Sequence, residues 1–438
     1  MEINIANTLN ISRFAGAAFR CDTCGTHNVV TREITVGADA SAHIAGFAVQ
    51  HLGGSGRVLV AAGRRSFDAL GSKAVRFLTE AGFTVDTLVV TGRDTALTEI
   101  TAALKDDTRL VISAGGGAVA DYVKLAAHKA GLPVVIMMPT PSSDNYLAPY
   151  SYIEREGFWE RAEVAPPIAV IADLDVIGAA PTSHHAAAYG LIMSKIIAVF
   201  DSYFSNLMRG TPHCERIADL IYASVGSCVE ANAGFVRHER KSVGLITENV
   251  IRMSLLKQMA PGQIMTQGGA ETHFAVFAER YMTENKRGCR MFGEHAFLGA
   301  QIVSGLYKLM LKDAGADIFP PPDILARAER FSEVTGLQEH RVLARYAGVP
   351  DGELYAVTAY KYREYRAELY QRILRSEKII AEAVRTFRHI YSDAGYWCRK
   401  YLTDGDYRTI LALAADTHPE YTLLMHMRNA GYLEQYLP

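Results

Sequence analysis

Between about Thr31 and Asp175 short apolar runs alternate with segments of helical period, and beyond about Gly178 the short runs cease. RVLVAA, TLVV, RLVISAG, PVVIMMPT and IAVIADL are short and rich in apolar residues throughout, so they read as strands buried on both faces. Helices are expected near Ser66 to Ala81 and Val119 to Ala130, each closed by a glycine, Gly82 or Gly131, suited to a left-handed C-cap. Strands alternating with helices predict a parallel sheet with right-handed crossovers over residues 1–178. The remainder, 179–438, repeats apolar residues at three and four positions and predicts an all-helical domain. Pro320, Pro321 and Pro322 mark a linker before a carboxy-terminal helical extension from about 323, and residues 354–393 contain no glycine or proline, predicting one long helix or two closely joined.

A chain of 438 residues exceeds what a single hydrophobic core normally serves, which agrees with two domains. With 45 basic and 47 acidic side chains and a net charge of -2, no general positive field exists to hold a polyanion, so nucleic acid is not expected as a partner. GLPVVIMMPT and the segment Ile196 to Phe200, interrupted by Lys195, fall short of a bilayer span, so no membrane association is expected. The start MEINIANTLNISRFAG has no basic-then-apolar leader, and a cytoplasmic protein is expected. Six scattered cysteines suggest reduced thiols.

The run RLVISAG leads directly into Gly115, Gly116 and Gly117 and then into a helix carrying Asp121 and Lys124. Successive glycines let backbone approach a pyrophosphate, and the helix start offers free amides and a positive dipole end. The next strand ends in PTPSSDNYLAPYS, where Thr140, Ser143 and Asp144 stand at a carboxyl end of the kind that binds ligands in open α/β sheets. These eight residues are the candidate coenzyme contacts; a tight turn and a polar loop would use the same residue types. RVLVAA is followed by Arg64 and Arg65 with no acidic residue, which favours NADP slightly over NAD. Cys21, Cys24 and His27 have the look of a zinc knuckle, but a structural site takes four ligands and no second cysteine pair stands at suitable spacing, so the stretch reads as a hairpin.

Several segments in one order resemble the glycerol-1-phosphate dehydrogenase branch of the superfamily that includes iron-containing alcohol dehydrogenases and dehydroquinate synthases. They are RCDTCGTHNVVTREITVGADA, GGGAVADYVKLA, PTPSSDNYLAPYS, PPIAVIADLDVIGAAP, YGLIMSKIIAVFD, GGAETHFAVFAE and FGEHAFLGAQIVSGLY. The resemblance implies a Rossmann-like nucleotide-binding domain followed by a helical domain, an NAD or NADP coenzyme and a small-molecule substrate, with homo-oligomerisation left open. It also implies a catalytic divalent metal, but the positions matching the family's ligands are Leu191, Thr272 and Phe292, and Met265 stands near the place of its anion-binding arginine. Leucine and phenylalanine offer no donor atom, so no metal is expected. A displaced site would have to draw on neighbours such as His184, His185, His273 or His295.

Without a metal, the groups able to move protons or steady a developing alkoxide are Lys195, which matches the family's Ser-Lys, with His273, Glu271 and His295; Glu294 is a further neighbour. All of these could equally form buried pairs between helices. The expected activity is a metal-independent NAD(P)-dependent oxidoreductase on a small polar or phosphorylated carbonyl or alcohol. A synthase or lyase that uses bound nucleotide transiently, and a non-catalytic nucleotide-binding relative, are the alternatives.

Overall fold

The computed structural model describes residues 10–155, 158–237, 239–287, 291–313, 323–344, 352–390 and 402–433. Pro320, Pro321, Pro322, Cys289 and Cys398 lie outside the described residues, as does the side chain of Tyr355. The chain forms two compact units: Met1–Ile192 with Tyr222–Pro261, and Met193–Ile221 with Gly262–Pro438. A single break near residue 178 was expected; instead the helix Arg240–Met259 returns to the first unit. There Gln258 accepts from the Val30 amide at 2.8 Å and donates to Thr31 Oγ1 at 2.9 Å and to the Leu147 carbonyl at 2.7 Å. Bonds spanning more than a hundred residues leave no local trace in sequence.

The first unit opens with a hairpin of β1 (Ala18–Cys21) and β2 (Gly25–Asn28). Its main sheet holds six parallel strands: β3 (Glu33–Gly37), β4 (Arg57–Gly63), β5 (Thr84–Val90), β6 (Thr108–Ser113), β7 (Val134–Met137) and β10 (Ala169–Asp173). Their order across the sheet is β3-β10-β7-β6-β4-β5. All five expected runs are strands of it. The hairpin β8 (Tyr150–Arg155) with β9 (Phe158–Glu163), strand β3 and the helices His43–Leu52 and Arg93–Ala103 were not expected.

Alternate residues of the strands share a face, which explains why these runs are apolar throughout. Val58, Val60, Ala62, Leu110, Ile112, Val135, Met137, Ala169 and Ile171 form one core with Ile44, Ala48 and Leu52, which recur every fourth residue along their helix. The opposite residues, including Leu59, Ala61, Val111, Ile136 and Val170, are also buried, and the helix Gly117–Lys129 packs on β4, β6 and β7. Truncating Ile112 or Ile171 to alanine costs about 2–5 kcal/mol at such sites. Gly82 (φ +92°) and Gly131 (φ +68°) close their helices in the left-handed conformation, as expected.

The second unit is helical throughout its described residues. The segment around Ile196 to Phe200 lies in the 28-residue helix Thr182–Arg209, which is long and apolar enough to cross a bilayer, but 94% of its most apolar window is buried inside the protein. It is a core helix. The Tyr- and Arg-rich tail forms one helix of 39 residues, Gly352–Ile390. It packs Phe387 on Phe297, with ring centres 4.9 Å apart, and pairs Glu377 with Lys308 at 2.8 Å. Tyr362 is buried and Tyr360 exposed, so the run sends some tyrosines inward and leaves others in water.

Candidate functional site

From β4 the chain proceeds to β5 at one edge of the sheet, whereas from β6 it proceeds to β7 and toward the other edge. Because β4 and β6 are neighbours, their onward connections diverge and leave a crevice at their carboxyl ends, the usual ligand site of an open α/β sheet. Gly63 ends β4 there, and β6 continues through Ala114, whose amide donates to the Ala61 carbonyl at 2.9 Å, into the glycine turn.

The three glycines do different things. A Cβ on Gly115 would stand 2.4 Å from Val119 Cγ1, and one on Gly117 would stand 2.7 Å from Ser143 Cβ and Oγ; a Cβ on Gly116 would meet nothing within 4 Å. Gly115 and Gly117 are therefore dictated by packing. Gly116, whose backbone is extended at the N-cap of the helix Gly117–Lys129, has open space beside its Cα.

The loop after β7 is held from beneath. Asp144 Oδ1 pairs with Lys257 Nζ at 2.8 Å, both side chains being buried. Thr140 Oγ1 and Ser142 Oγ are 2.9 Å apart, His184 Nδ1 is 3.2 Å from the same Ser142 hydroxyl, and Ser143 Oγ accepts from the Asn145 amide at 3.2 Å. Burial, with the Arg65 charge nearby, pushes the His184 imidazole below its ordinary range.

Lys124 and Asp121, expected as coenzyme contacts, are both buried. Lys124 is wholly buried and its ammonium donates to the Asn145 carbonyl at 2.7 Å, to the Tyr150 carbonyl at 2.7 Å and to Asp121 Oδ1 at 2.9 Å, which uses all three of its N–H groups. Asp121 also accepts from Asn145 Nδ2 at 2.6 Å. Burial pushes the Asp121 carboxyl up and the Lys124 ammonium down, each opposed by the charge of the other. The pair is a strut beneath the loop. Lysine and aspartate three apart in a helix behind a glycine turn gave no sign of this, because the accepting carbonyls lie 21 and 26 residues away.

In the helical unit, Lys195 and Glu271 are both buried, and Glu271 stands within the electrostatic reach of Lys195 and His273. Burial raises the Glu271 carboxyl, and the Lys195 charge and the Gly269 amide, 3.1 Å away, oppose that rise. His273 Nε2 lies 3.6 Å from Glu420 Oε2, and its ring is 5.4 Å from that of His418. His295 is buried on the helix Phe292–Lys312, whose first turn Glu294 caps by accepting from the Met291 amide at 2.9 Å.

Asp201 was overlooked. It accepts from the Ala270 amide at 2.8 Å, the Leu423 amide at 3.0 Å and the Tyr307 hydroxyl at 2.9 Å, and burial raises it to about 7 despite these bonds. Asp201 is the last residue of the YGLIMSKIIAVFD segment, yet its partners lie 69 to 222 residues away. Of the three positions matching family metal ligands, Leu191 is a buried aliphatic, Phe292 opens its helix, and Thr272 donates to Glu271 Oε1 at 3.1 Å.

The amino-terminal hairpin runs against the expectation of a chain without metal. Cys21 Sγ and Cys24 Sγ are 3.4 Å apart, and Cys24 Sγ is 3.5 Å from His27 Nε2. Burial disfavours the Cys21 thiolate, but hydrogen bonds from Thr23, His27 and the Cys24 backbone outweigh it and bring the group down to about 5.

Against this geometry, comparisons with known proteins are informative. A glycerol-1-phosphate dehydrogenase [NAD(P)+] of Bacillus velezensis is 25% identical over 253 residues, covering 58% of this chain and 60% of that protein. The chain thus matches less than two thirds of that relative's length. A glycerol-1-phosphate dehydrogenase [NAD(P)+] of Pyrococcus furiosus is 26% identical over 335 residues, covering 72% of this chain and 93% of that one. The crystal structure of a glycerol dehydrogenase from Schizosaccharomyces pombe superposes with a TM-score of 0.53 at 21% identity over 84% of this chain and 92% of its own, a likeness of fold. Residues 35–181, which carry the six-stranded sheet almost entire, match the model of the iron-containing alcohol dehydrogenase family.

Proposed function

We propose that this chain is an NAD(P)-dependent oxidoreductase acting on a small polar or phosphorylated carbonyl or alcohol, by a route that uses no catalytic metal. The divergence of connections between β4 and β6, with an open position at Gly116 in its mouth, carries the reading. A nicotinamide coenzyme held there would supply or accept hydride. Amides of the glycine turn receive its pyrophosphate, Thr140 and Ser143 line the neighbouring loop, and Asp144 is fixed by Lys257. Arg64 and Arg65, beyond β4, favour a 2′-phosphate. Lys195 is the cation assigned to the substrate oxygen, and Glu271, His273 and His295 are the proton-carrying groups. The Bacillus and Pyrococcus relatives, both named glycerol-1-phosphate dehydrogenases, point to the substrate class. Its partners under this reading are small molecules, and its compartment is the cytoplasm.

The metal-free route is supported by what the carboxylates of the helical unit already do. Asp201 accepts two amides and a hydroxyl, Glu271 accepts the Gly269 amide and the Thr272 hydroxyl, and Glu294 caps a helix. Two of the three positions matching the family's ligands are Leu191 and Phe292, which offer no donor atom, and this favours a route without a bound cation.

Calorimetric titration of NADH and NADPH into the wild type and Gly116→Ala, followed by turnover with glycerol-1-phosphate or its ketone after dialysis against a chelator, tests this. We expect saturable binding weakened at least about tenfold by the added methyl, unchanged thermal stability, and net coenzyme turnover that survives chelation, NAD(P)+ being reduced with the alcohol and NAD(P)H oxidised with the ketone. Substrate loss with coenzyme unchanged would point to the synthase class instead, binding without turnover to a non-catalytic relative. Turnover that requires a returned divalent ion would overturn the metal-free route.

A further inference from the structure

The hairpin β1–β2 brings three soft ligand atoms together. Its turn, residues 22–24, is closed by Gly25 at φ +86°, and the strands pair Cys21 with Gly25 and Phe19 with His27. Cys21 and His27 are both buried. Cys24, at the tip, is exposed but turns its sulfur back to within 3.4 Å of Cys21 Sγ and 3.5 Å of His27 Nε2.

These separations are those a tetrahedral ion imposes. With zinc–sulfur bonds of about 2.3 Å and zinc–nitrogen bonds of about 2.0 Å, tetrahedral angles put sulfur about 3.8 Å from sulfur and about 3.5 Å from nitrogen. The hairpin is within a few tenths of an ångström of both. The imidazole is also oriented as a ligand: His27 Nδ1 lies 2.6 Å from the Met259 carbonyl oxygen, which it reaches only as a donor, leaving the Nε2 lone pair toward the two sulfurs. A backbone carbonyl fixing the tautomer in this way is the usual support of a metal-bound histidine. The exposed tip gives an ion a way in.

We propose that Cys21, Cys24 and His27 bind a thiophilic divalent cation, zinc by preference, as a structural clip that ties the amino-terminal hairpin to the end of the helix Arg240–Met259. A water or a further thiolate fills the fourth position. Both sulfurs bind as thiolates, any thiol proton still present passing to solvent, with no change of oxidation state. The site does not depend on the dehydrogenase reading, and its test does not use activity.

The test is metal analysis of the protein purified from zinc-supplemented cells without chelator, beside Cys24→Ser and His27→Ala, together with cobalt(II) titration of the apoprotein. We expect about one zinc per chain in the wild type, loss of most of it in both variants, and a cobalt spectrum with a thiolate charge-transfer band and intense visible bands of tetrahedral geometry. Cys24→Ser adds no bulk at an exposed tip, and the cobalt titration needs no variant, so misfolding cannot mask the answer. Zinc retained in both variants would place the ion elsewhere and overturn the proposal. A cobalt spectrum without the thiolate band, or a Cys21–Cys24 disulfide in the freshly isolated protein, would overturn it equally.

Discussion

Lys257 Nζ lies 2.8 Å from Asp144 Oδ1, and both groups are shut away from solvent although 113 residues separate them in the chain. A buried pair is costly to break from one side, because the remaining charge keeps its desolvation penalty without its partner. Lys257→Met should therefore lower the unfolding free energy by about 3–5 kcal/mol, and Lys257→Met with Asp144→Asn should recover part of that loss. Urea denaturation of the three proteins checks it; equal stability of the single and double variants would show that the loop does not depend on this pair.

The contact between Gly117 and Ser143 makes a second prediction. Gly117→Ala puts a methyl 2.7 Å from the serine side chain and should cost about 1–3 kcal/mol. Adding Ser143→Gly should restore most of it. Thermal unfolding of the pair, set beside Gly116→Ala with its open surroundings, separates packing from coenzyme binding.

Asp201 gives stability a pH dependence of defined sign. Its ordinary value is 3.8 and burial raises it to about 7, so the folded protein holds this proton more tightly than the unfolded chain. The contribution is fully present below pH 3.8 and is lost as pH rises through about 7. The difference in unfolding free energy between wild type and Asp201→Asn should shift in favour of the variant by up to about 4 kcal/mol over that window. Denaturation curves at several pH values measure it; a flat difference would mean that Asp201 stays ionised.

Arg64 and Arg65 should set coenzyme choice. Arg64 is mostly exposed and pairs with Asp68 at 3.8 Å, so replacing both arginines with alanine should leave folding and NADH affinity unchanged and weaken NADPH about tenfold. An unchanged NADPH-to-NADH ratio would make them solvated turn residues.

The central strands of the sheet were legible because burial on both faces leaves them continuously apolar, and the glycine turn because only that residue type tolerates Val119 and Ser143 so close. Strands β8 and β9 were not. YSYIER and FWERAE are rich in charged and aromatic residues and pair only with each other, so no apolar run announced them. The loop supports escaped for a different reason: Lys124, Lys257 and Asp201 are recognised by partners distant in sequence, and their residue types suit a ligand site as well as a buried strut.

Because the helix Arg240–Met259 completes the unit that begins at the amino terminus, a growing chain cannot finish that unit when its last strand emerges. More than eighty residues beyond Asp173, including the start of the helical half, must leave the ribosome before Gln258 and Lys257 reach Thr31 and Asp144. Until then the loop after β7 lacks its underpinning. A gene cut after residue 178 to isolate the sheet would encode a fragment missing part of its own core, and a soluble excised version would have to splice 222–261 back in.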